Sequence, residues 1–258
     1  MPALQFLGSC AHDYSKRLQT DCRDRFDPDA RRSSCALLCG HILIDCGDHT
    51  LDSLRIAGIP HGKITDLVLT HLHGDHFNAE NIRCLAAGRS VPLRIWHSAG
   101  AAMPELSCEL HPMEKAVTYS LAEGITVTGL DANHDANVHP QHLLFCIGGR
   151  RLLYATDGAW IQNSTANYLR RAKAPLHTLV IDCTTGENEA EWRLGEHNSI
   201  PMLRVMMPAL RAAGITDDNT RVYATHLAPS LHKSHAETAE ILRPLGISPA
   251  QDGLEILL

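Results

Sequence analysis

The chain has no apolar run approaching the ~18 residues of a membrane-spanning helix, so no spanning segment is expected. It has no excess of positive charge either, its formal net charge being −6 at pH 7. A dedicated nucleic-acid binder usually carries a basic face, and this balance argues against one. Small anionic substrates stay open, because bound cations can invert the local field of an acidic protein. The opening residues, MPALQFLGSCAHDYSKR, lack a charged start followed by an apolar stretch and a small-residue cleavage site, and no signal peptide is expected. Internal repeats and low-complexity linkers are missing. So is a disulfide framework: the nine cysteines are odd in number and scattered, and several, such as Cys46 in ILIDCG and Cys146 in LLFCIGG, sit inside apolar runs. They read as small buried side chains of a cytoplasmic protein kept reduced.

What is present is an ordinary globular composition, 44% hydrophobic and 20% charged over 258 residues. That length buries a full core, and one domain over residues 1–258 is expected. Histidine is the outlier, with 17 in the chain.

Short apolar stretches end repeatedly in an acidic residue or a histidine followed by small residues. ALLCGHILIDCGD holds two strand-like runs joined by a Gly-His turn and ends near Asp45. DLVLTH ends at His71, RRLLYATD at Asp157, HTLVID at Asp182 and RVYATH at His226. Such runs suit buried strands, and polar side chains at strand ends are how a sheet scaffold builds a site. Helical spacing appears around residues 51–59, in STANYLRRAKA, in SIPMLRVMMPALRAAG and in SHAETAEILRPLG. Pro208 should kink or divide the third of these, and Ser234 with Glu237 forms a capping box for the fourth. The alternation implies mixed α/β layers. The charged segment 22–35 reads as a solvated surface loop, and Arg31, Arg32 and Lys233 as ordinary surface charges.

The densest chemistry lies in Thr70-His71-Leu72-His73-Gly74-Asp75-His76. His71 and His73 are one residue apart and can point the same way from an extended backbone. Gly74 permits a tight turn that re-aims Asp75 and His76. A lone histidine at a strand end is usually just hydrogen-bonded. Four such groups crowded together can serve two neighbouring ions, and imidazole with carboxylate suits zinc, manganese or iron.

THLHGDH resembles the signature of the metallo-β-lactamase superfamily. The other motifs of that family follow in order: Asp45 in LIDCGD, His134 in DANHDA, Asp157 in LYATDGA and His226 in YATHLAP. The resemblance implies an α/β fold, a four-layer αββα sandwich of two mixed β-sheets flanked by helices. It implies two divalent metal ions (manganese or zinc, with iron a further option). His71, His73 and His134 would hold one, Asp75, His76 and His226 the other, with Asp157 between and Asp45 and Asp182 supporting from behind. Two ions about 3.5 Å apart would share a hydroxide and clamp both oxygens of a displacement.

HTLVIDCTTGE followed by GEHNS at 195–199 is similar to the phosphodiesterase branch, and most to the PhnP-type cyclic-phosphate phosphodiesterases. There a histidine in this stretch assists the leaving group, and His197 is the matching position; with Asp75 it is assigned to the catalytic machinery. The plainer alternative is that His197 caps the helix beginning near Ser199. A ribonuclease Z-like nuclease is disfavoured, because no long arm is evident and the H-E-A-T-like stretch reads Asp182-Cys183-Thr184-Thr185. PhnP-type proteins cluster cysteines in the N-terminal loop around a structural zinc. Here the loop has only Cys22, with Cys35 thirteen residues on, and although Cys10, His12, Cys22, His232 and His235 could assemble a substitute, no structural zinc is expected. The expected partner is a small cyclic or linear phosphodiester, with a homodimer left open. A lactonase, a thioesterase or a non-catalytic carrier are the alternatives.

Overall fold

A computed structural model describes residues 2–188 and 192–258. The two hairpin-forming runs become β2 (Cys35–Leu38) and β3 (Ile42–Ile44), paired antiparallel with Ala36 opposite Ile44. Around them the first sheet is completed by β1 (Ala3–Gly8), β4 (Asp66–Val68), β5 (Arg94–Ser98), β6 (Glu109–Met113) and β14 (Glu255–Leu257). Its order is β14-β1-β2-β3-β4-β5-β6. The second sheet contains β7 (Thr118–Ala122), β8 (Ile125–Asp131), β9 (Gln141–Ile147), β10 (Arg150–Ala155), β11 (Thr178–Asp182), β12 (Arg221–Thr225) and β13 (Ile247–Pro249). Its order is β13-β12-β11-β10-β9-β8-β7. Each sheet is antiparallel on one side and parallel on the other. Parallel pairing runs from β3 to β6 in the first and from β10 to β13 in the second.

Period-two alternation sets which face each strand residue takes. On β9, Leu143, Phe145 and Ile147 enter the layer between the sheets, while Leu144 faces the helices. Phe6, Leu38, Ile44 and Val68 meet Val127, Tyr154 and Val180 across that layer. Outside the first sheet lie α1 (Thr50–Ile56) and α2 (Ala79–Ala86), which seat Leu54, Ile82 and Leu85 on it. Outside the second lie α3 (Asn163–Arg171), α4 (Ile200–Ala212) and α5 (His235–Leu242), through Leu169, Leu203, Met206 and Leu242. Two mixed seven-stranded sheets between helical layers are the four-layer sandwich expected. No described helix is long and apolar enough to cross a membrane.

The capping box forms as the residues foretold: the Glu237 amide donates to Ser234 Oγ at 3.4 Å and the Ser234 amide to the Glu237 carboxylate at 3.2 Å. Pro208, in contrast, does not divide α4, which runs unbroken through it. Proline removes one hydrogen bond to the carbonyl four residues back, here that of Arg204. Both residues lie on the exposed face, where water can take up the freed carbonyl.

Two expectations for the N-terminal loop fail. Its residues 23–25 are exposed, but 30–35 are buried, and Arg31 and Arg32 are buried with them. Arg32 donates to the Cys22 carbonyl at 2.6 Å and the Arg25 carbonyl at 3.2 Å, while its own amide donates to Asp252 Oδ2 at 2.7 Å. Arg31 donates to Ser9 Oγ at 2.9 Å and to the Ala250 carbonyl, and meets His235 Nδ1 at 2.9 Å. A guanidinium carries five donors in a fixed fork, so each arginine satisfies loop carbonyls that burial would otherwise strand. Lys233 stays at the surface, paired with Glu187 at 3.3 Å. Cys146 is half-buried, whereas Cys46 is fully buried.

His142 on β9 is buried, with neither ring nitrogen bonded to a protein group. Burial, aided by Lys115, lowers its pKa to about 4. The unfolded chain, titrating near 6.5, therefore binds the proton first on acidification. Stability should fall as pH drops from 6.5 to 4, by about 3 kcal/mol at most. His142→Leu removes the titration. Urea unfolding of the chelator-treated protein at pH 7 and pH 4.5 should show a smaller acid-side loss in the variant than in the parent.

Candidate metal centre

The parallel strands end at one edge of the sandwich, and the sequence-singled residues cluster there. Asp45 follows β3, Asp157 lies two residues past β10, and His226 follows β12. All three have positive φ, at 62°, 49° and 59°. A side chain in that region is strained, and it persists only where surrounding contacts over-determine it.

The loop after β4 is held from both sides. The Gln141 amide donates to the Thr70 carbonyl at 2.9 Å, and the Cys46 amide to the His76 carbonyl at 2.7 Å. Gly74 is not the glycine that the loop needs: its φ is not left-handed and a Cβ there would meet nothing within 4 Å. Gly47 is. A Cβ on Gly47 would stand 1.8 Å from the Asp75 carbonyl oxygen, so only glycine allows the two backbones to touch.

Four overlapping groups of donors result among the described residues, two of them holding His197 and two made of the expected ligands. His71 Nε2 lies 3.1 Å from His73 Nδ1, which lies 3.0 Å from His134 Nε2, and Asp157 Oδ2 is 3.4 Å from His71. In the second group His76 Nε2 and His226 Nε2 are 3.2 Å apart, and Asp75 Oδ2 is 3.3 Å from His226. Asp157 reaches this group too, with Oδ2 3.3 Å from His76 and Oδ1 3.0 Å from His226. Four ligands at zinc-like distances of 2.0–2.1 Å stand about 3.3 Å from one another at the corners of a tetrahedron. The observed spacings bracket that value, and Asp157 belongs to both groups.

The far sides of the rings fix which nitrogen faces inward. His76 Nδ1 donates to Asp45 Oδ2 at 2.8 Å, and Asp45 also accepts from the Thr70 amide at 2.7 Å and the Thr70 hydroxyl at 2.8 Å. With its proton committed to Asp45, Thr70 Oγ1 accepts from His71 Nδ1 at 3.0 Å. His134 Nδ1 donates to the Glu196 carbonyl at 3.3 Å. His226 Nδ1 donates to Thr184 Oγ1 at 2.8 Å, and Thr184 passes its proton toward Asp182 Oδ2 at 2.8 Å. In each case Nδ1 is the nitrogen bonded outward, so Nε2 is the one turned into the cluster, where a metal ion would displace any proton it carries. His73 alone offers Nδ1.

Asp45, Asp75, Asp157 and Asp182 are all buried here. Burial alone would raise the Asp157 and Asp182 carboxyls, but His226 and His76 hold the first, and His197 the second, well below the usual range. The compensating charge sits on imidazoles. Burial presses His76 down, yet Asp157, Asp75 and Asp45 lift it well above its ordinary value, and His226 is lifted to about 10, chiefly by Asp157. His71, buried and facing His76, stays neutral. The site therefore demands cationic charge, and a donor set of imidazole and carboxylate fits a hard or borderline divalent ion.

His197 is buried beside both groups, its ring 5.1 Å from His134 and stacked 5.3 Å from His226. Its Nδ1 donates to Asp182 Oδ2 at 3.0 Å. It does not cap α4: Ser199 does, accepting from the Met202 amide at 3.3 Å. Asn198 locks the segment, its amide on Asp182 Oδ1 at 2.7 Å and its side chain on the Gly158 carbonyl at 2.9 Å. Every expected site residue is thus drawn into one cluster. Thr184, Asn198 and Gly47 were not singled out, and only their nearness to Asp182, His197 and Asp45 in the chain could have flagged them. Cys10, Cys22, His232 and His235 form no common donor group among the described residues. His232 donates to the Cys183 carbonyl at 2.7 Å and His235 meets Arg31.

Helices on both outer faces of two mixed sheets, with histidines and aspartates gathered at the strand ends, define the metallo-β-lactamase fold of metal-dependent hydrolases. The chain belongs to the β-lactamase superfamily domain family, whose model matches residues 41–227. Zn²⁺-bound PqqB from Methylobacterium extorquens is similar in structure, with a TM-score of 0.72 at 17% identity over 99% of this chain and 100% of that one. A diphosphatase from the PhnP family aligns at TM-score 0.71 and 20% identity, covering 100% and 98%. Human tRNase Z, short form, aligns at 0.68 and 18%, covering 99% and 98%. At these identities the likeness is one of fold. Comparison with curated protein sequences yields no match.

Asp45→Ala strands the His76 Nδ1 proton and both Thr70 donors in the interior. Urea unfolding of the metal-free protein at pH 7 should show a loss of about 3–5 kcal/mol, the usual cost of breaking a buried charged pair.

Proposed function

We propose that the chain is a metal-dependent phosphodiesterase acting on small cyclic or linear phosphodiesters. The observation that carries this reading is His197, held by Asp182 beside two donor groups that share Asp157. When bound, two divalent ions would supply Lewis-acid neutralisation of charge developing on the phosphoryl oxygens. His71, His73 and His134 would hold one and Asp75, His76 and His226 the other, with Asp157 available to both.

The chain's own residues supply the rest. Asp182 accepts the Nδ1 proton of His197 and so fixes the tautomer and the ring plane. His197 Nε2 then carries the exchangeable proton and delivers it to the departing oxygen as a general acid. Asn198 and Thr184 keep Asp182 from turning, since each holds one of its oxygens. A net charge of −6 fits a small substrate better than a polynucleotide, whose backbone would need a basic track.

Metal analysis of the purified protein should give two divalent ions per chain, and fewer in Asp157→Ala. With added manganese the protein should hydrolyse bis-p-nitrophenyl phosphate faster than a thioester or a lactone. Preference for either of the latter would replace the phosphodiesterase reading with a thioesterase or lactonase. His197→Ala should lower turnover about 10²-fold for a poor alkoxide leaving group and much less for p-nitrophenolate, which departs without a proton.

A further inference from the structure

The segment after β1 runs past the metal centre. The Leu227 amide donates to the Ser9 carbonyl at 2.8 Å, Cys10 bridges both Leu227 and Ser33, and Asp13 Oδ2 accepts from the Ser230 amide at 2.9 Å. Residues 9–13 therefore lie along the chain that leaves His226. At Asp13 the backbone turns sharply, the Tyr14 amide donating to the His12 carbonyl at 3.2 Å. Tyr14 is thereby thrown toward the opposite wall, the segment 47–49. Its ring stands edge-on to His49 with centroids 4.3 Å apart, and His49 is itself pinned by its amide on Ser33 Oγ at 2.9 Å. That wall adjoins the metal centre, because Gly47 packs on the Asp75 carbonyl.

The Tyr14 hydroxyl has a poor partner in this position. It points at Asp48 Oδ2 from 3.5 Å, the outer limit of a hydrogen bond. The other Asp48 oxygen is taken by Asn78 Nδ2 at 3.1 Å. Burial raises the phenol above its usual pKa near 10, so it is a hydrogen-bond donor at neutral pH. A restrained ring presents a hydroxyl at the segment 47–49, which packs on the Asp75 backbone, and that hydroxyl gives up little by turning from Asp48.

We propose that Tyr14 is a substrate-contact residue of the metal cleft, donating its hydroxyl hydrogen to a non-bridging phosphoryl oxygen on the Asp75–His76–His226 side. This rests on the phosphodiesterase reading and adds a contact to the one proposed for His197. A hydrogen bond to a charged phosphoryl oxygen is shorter and stronger than one at 3.5 Å to Asp48, so the exchange favours bound substrate.

Tyr14→Phe keeps the ring on His49 and removes only the donor. With metal-loaded protein, the dissociation constant of inorganic phosphate, read by titration calorimetry, should rise about tenfold. kcat/KM on bis-p-nitrophenyl phosphate should fall by a similar factor. Metal content and thermal midpoint should match the parent. Phosphate affinity and kcat/KM both within twofold of the parent would overturn the contact. So would a loss of metal or of thermal stability large enough to account for the change, since the role would then be structural. If the parent turns over no phosphodiester while Tyr14→Phe still weakens phosphate binding, the contact stands and the phosphodiesterase reading falls.

Discussion

Four carboxylates, Asp45, Asp75, Asp157 and Asp182, are buried at one edge of the sandwich, and the local structure answers to them. A buried carboxylate is tolerated only when donors or cations surround it. Asp45 is met by three donors from Thr70 and His76, and Asp182 by Thr184, Asn198 and His197. These two are closed by the protein's own hydrogen bonds. Asp75 and Asp157 are not closed in the same way. Apart from the Thr156 hydroxyl, which donates to Asp157 Oδ1 at 3.1 Å, their close polar neighbours are imidazole Nε2 atoms whose opposite nitrogens are bonded outward. That difference separates supporting carboxylates from ones that await a cation.

The supporting layer also links elements distant in sequence. Thr184 Oγ1 stands 2.8 Å from both Asp182 and His226 and 3.1 Å from His197 Nδ1. One hydroxyl thus ties a candidate ligand to the candidate acid. Because the carboxylate, the hydroxyl and both rings share one network, a change at any of them moves the others.

The N-terminal loop contributes by being anchored rather than by being charged. Arg32 ties it to itself and its backbone to Asp252, while Arg31 ties it to Ser9 and Ala250. Ser9 Oγ in turn donates to Asp252 Oδ1 at 2.9 Å. This brace joins the two ends of the chain behind the segment that carries Tyr14. Composition hid it, since an arginine satisfying buried carbonyls looks like any surface arginine when read in isolation.

The sequence by itself marked the mixed α/β layering and the candidate donors, and its family resemblance supplied the four-layer arrangement. Apolar runs ending in Asp45, His71, Asp157, Asp182 and His226 mark strand ends, and the dense H-x-H-x-D-H spacing marks donors, because both patterns are local. What it could not carry were relations set by packing. Pro208 sits inside α4 because its freed carbonyl faces water, which requires knowing the helix's exposed face. Gly47 rather than Gly74 is the glycine the loop cannot lose, because the close approach is to Asp75, a residue 28 positions away in the chain and adjacent only once β3 and β4 pair. Arg31 and Arg32 go inside, and the segment 9–13 before Tyr14 docks along residues 227–230, through contacts with residues near the far end of the chain. Only the closed tertiary structure brings those residues within hydrogen-bond range, and that is why it alone decided them.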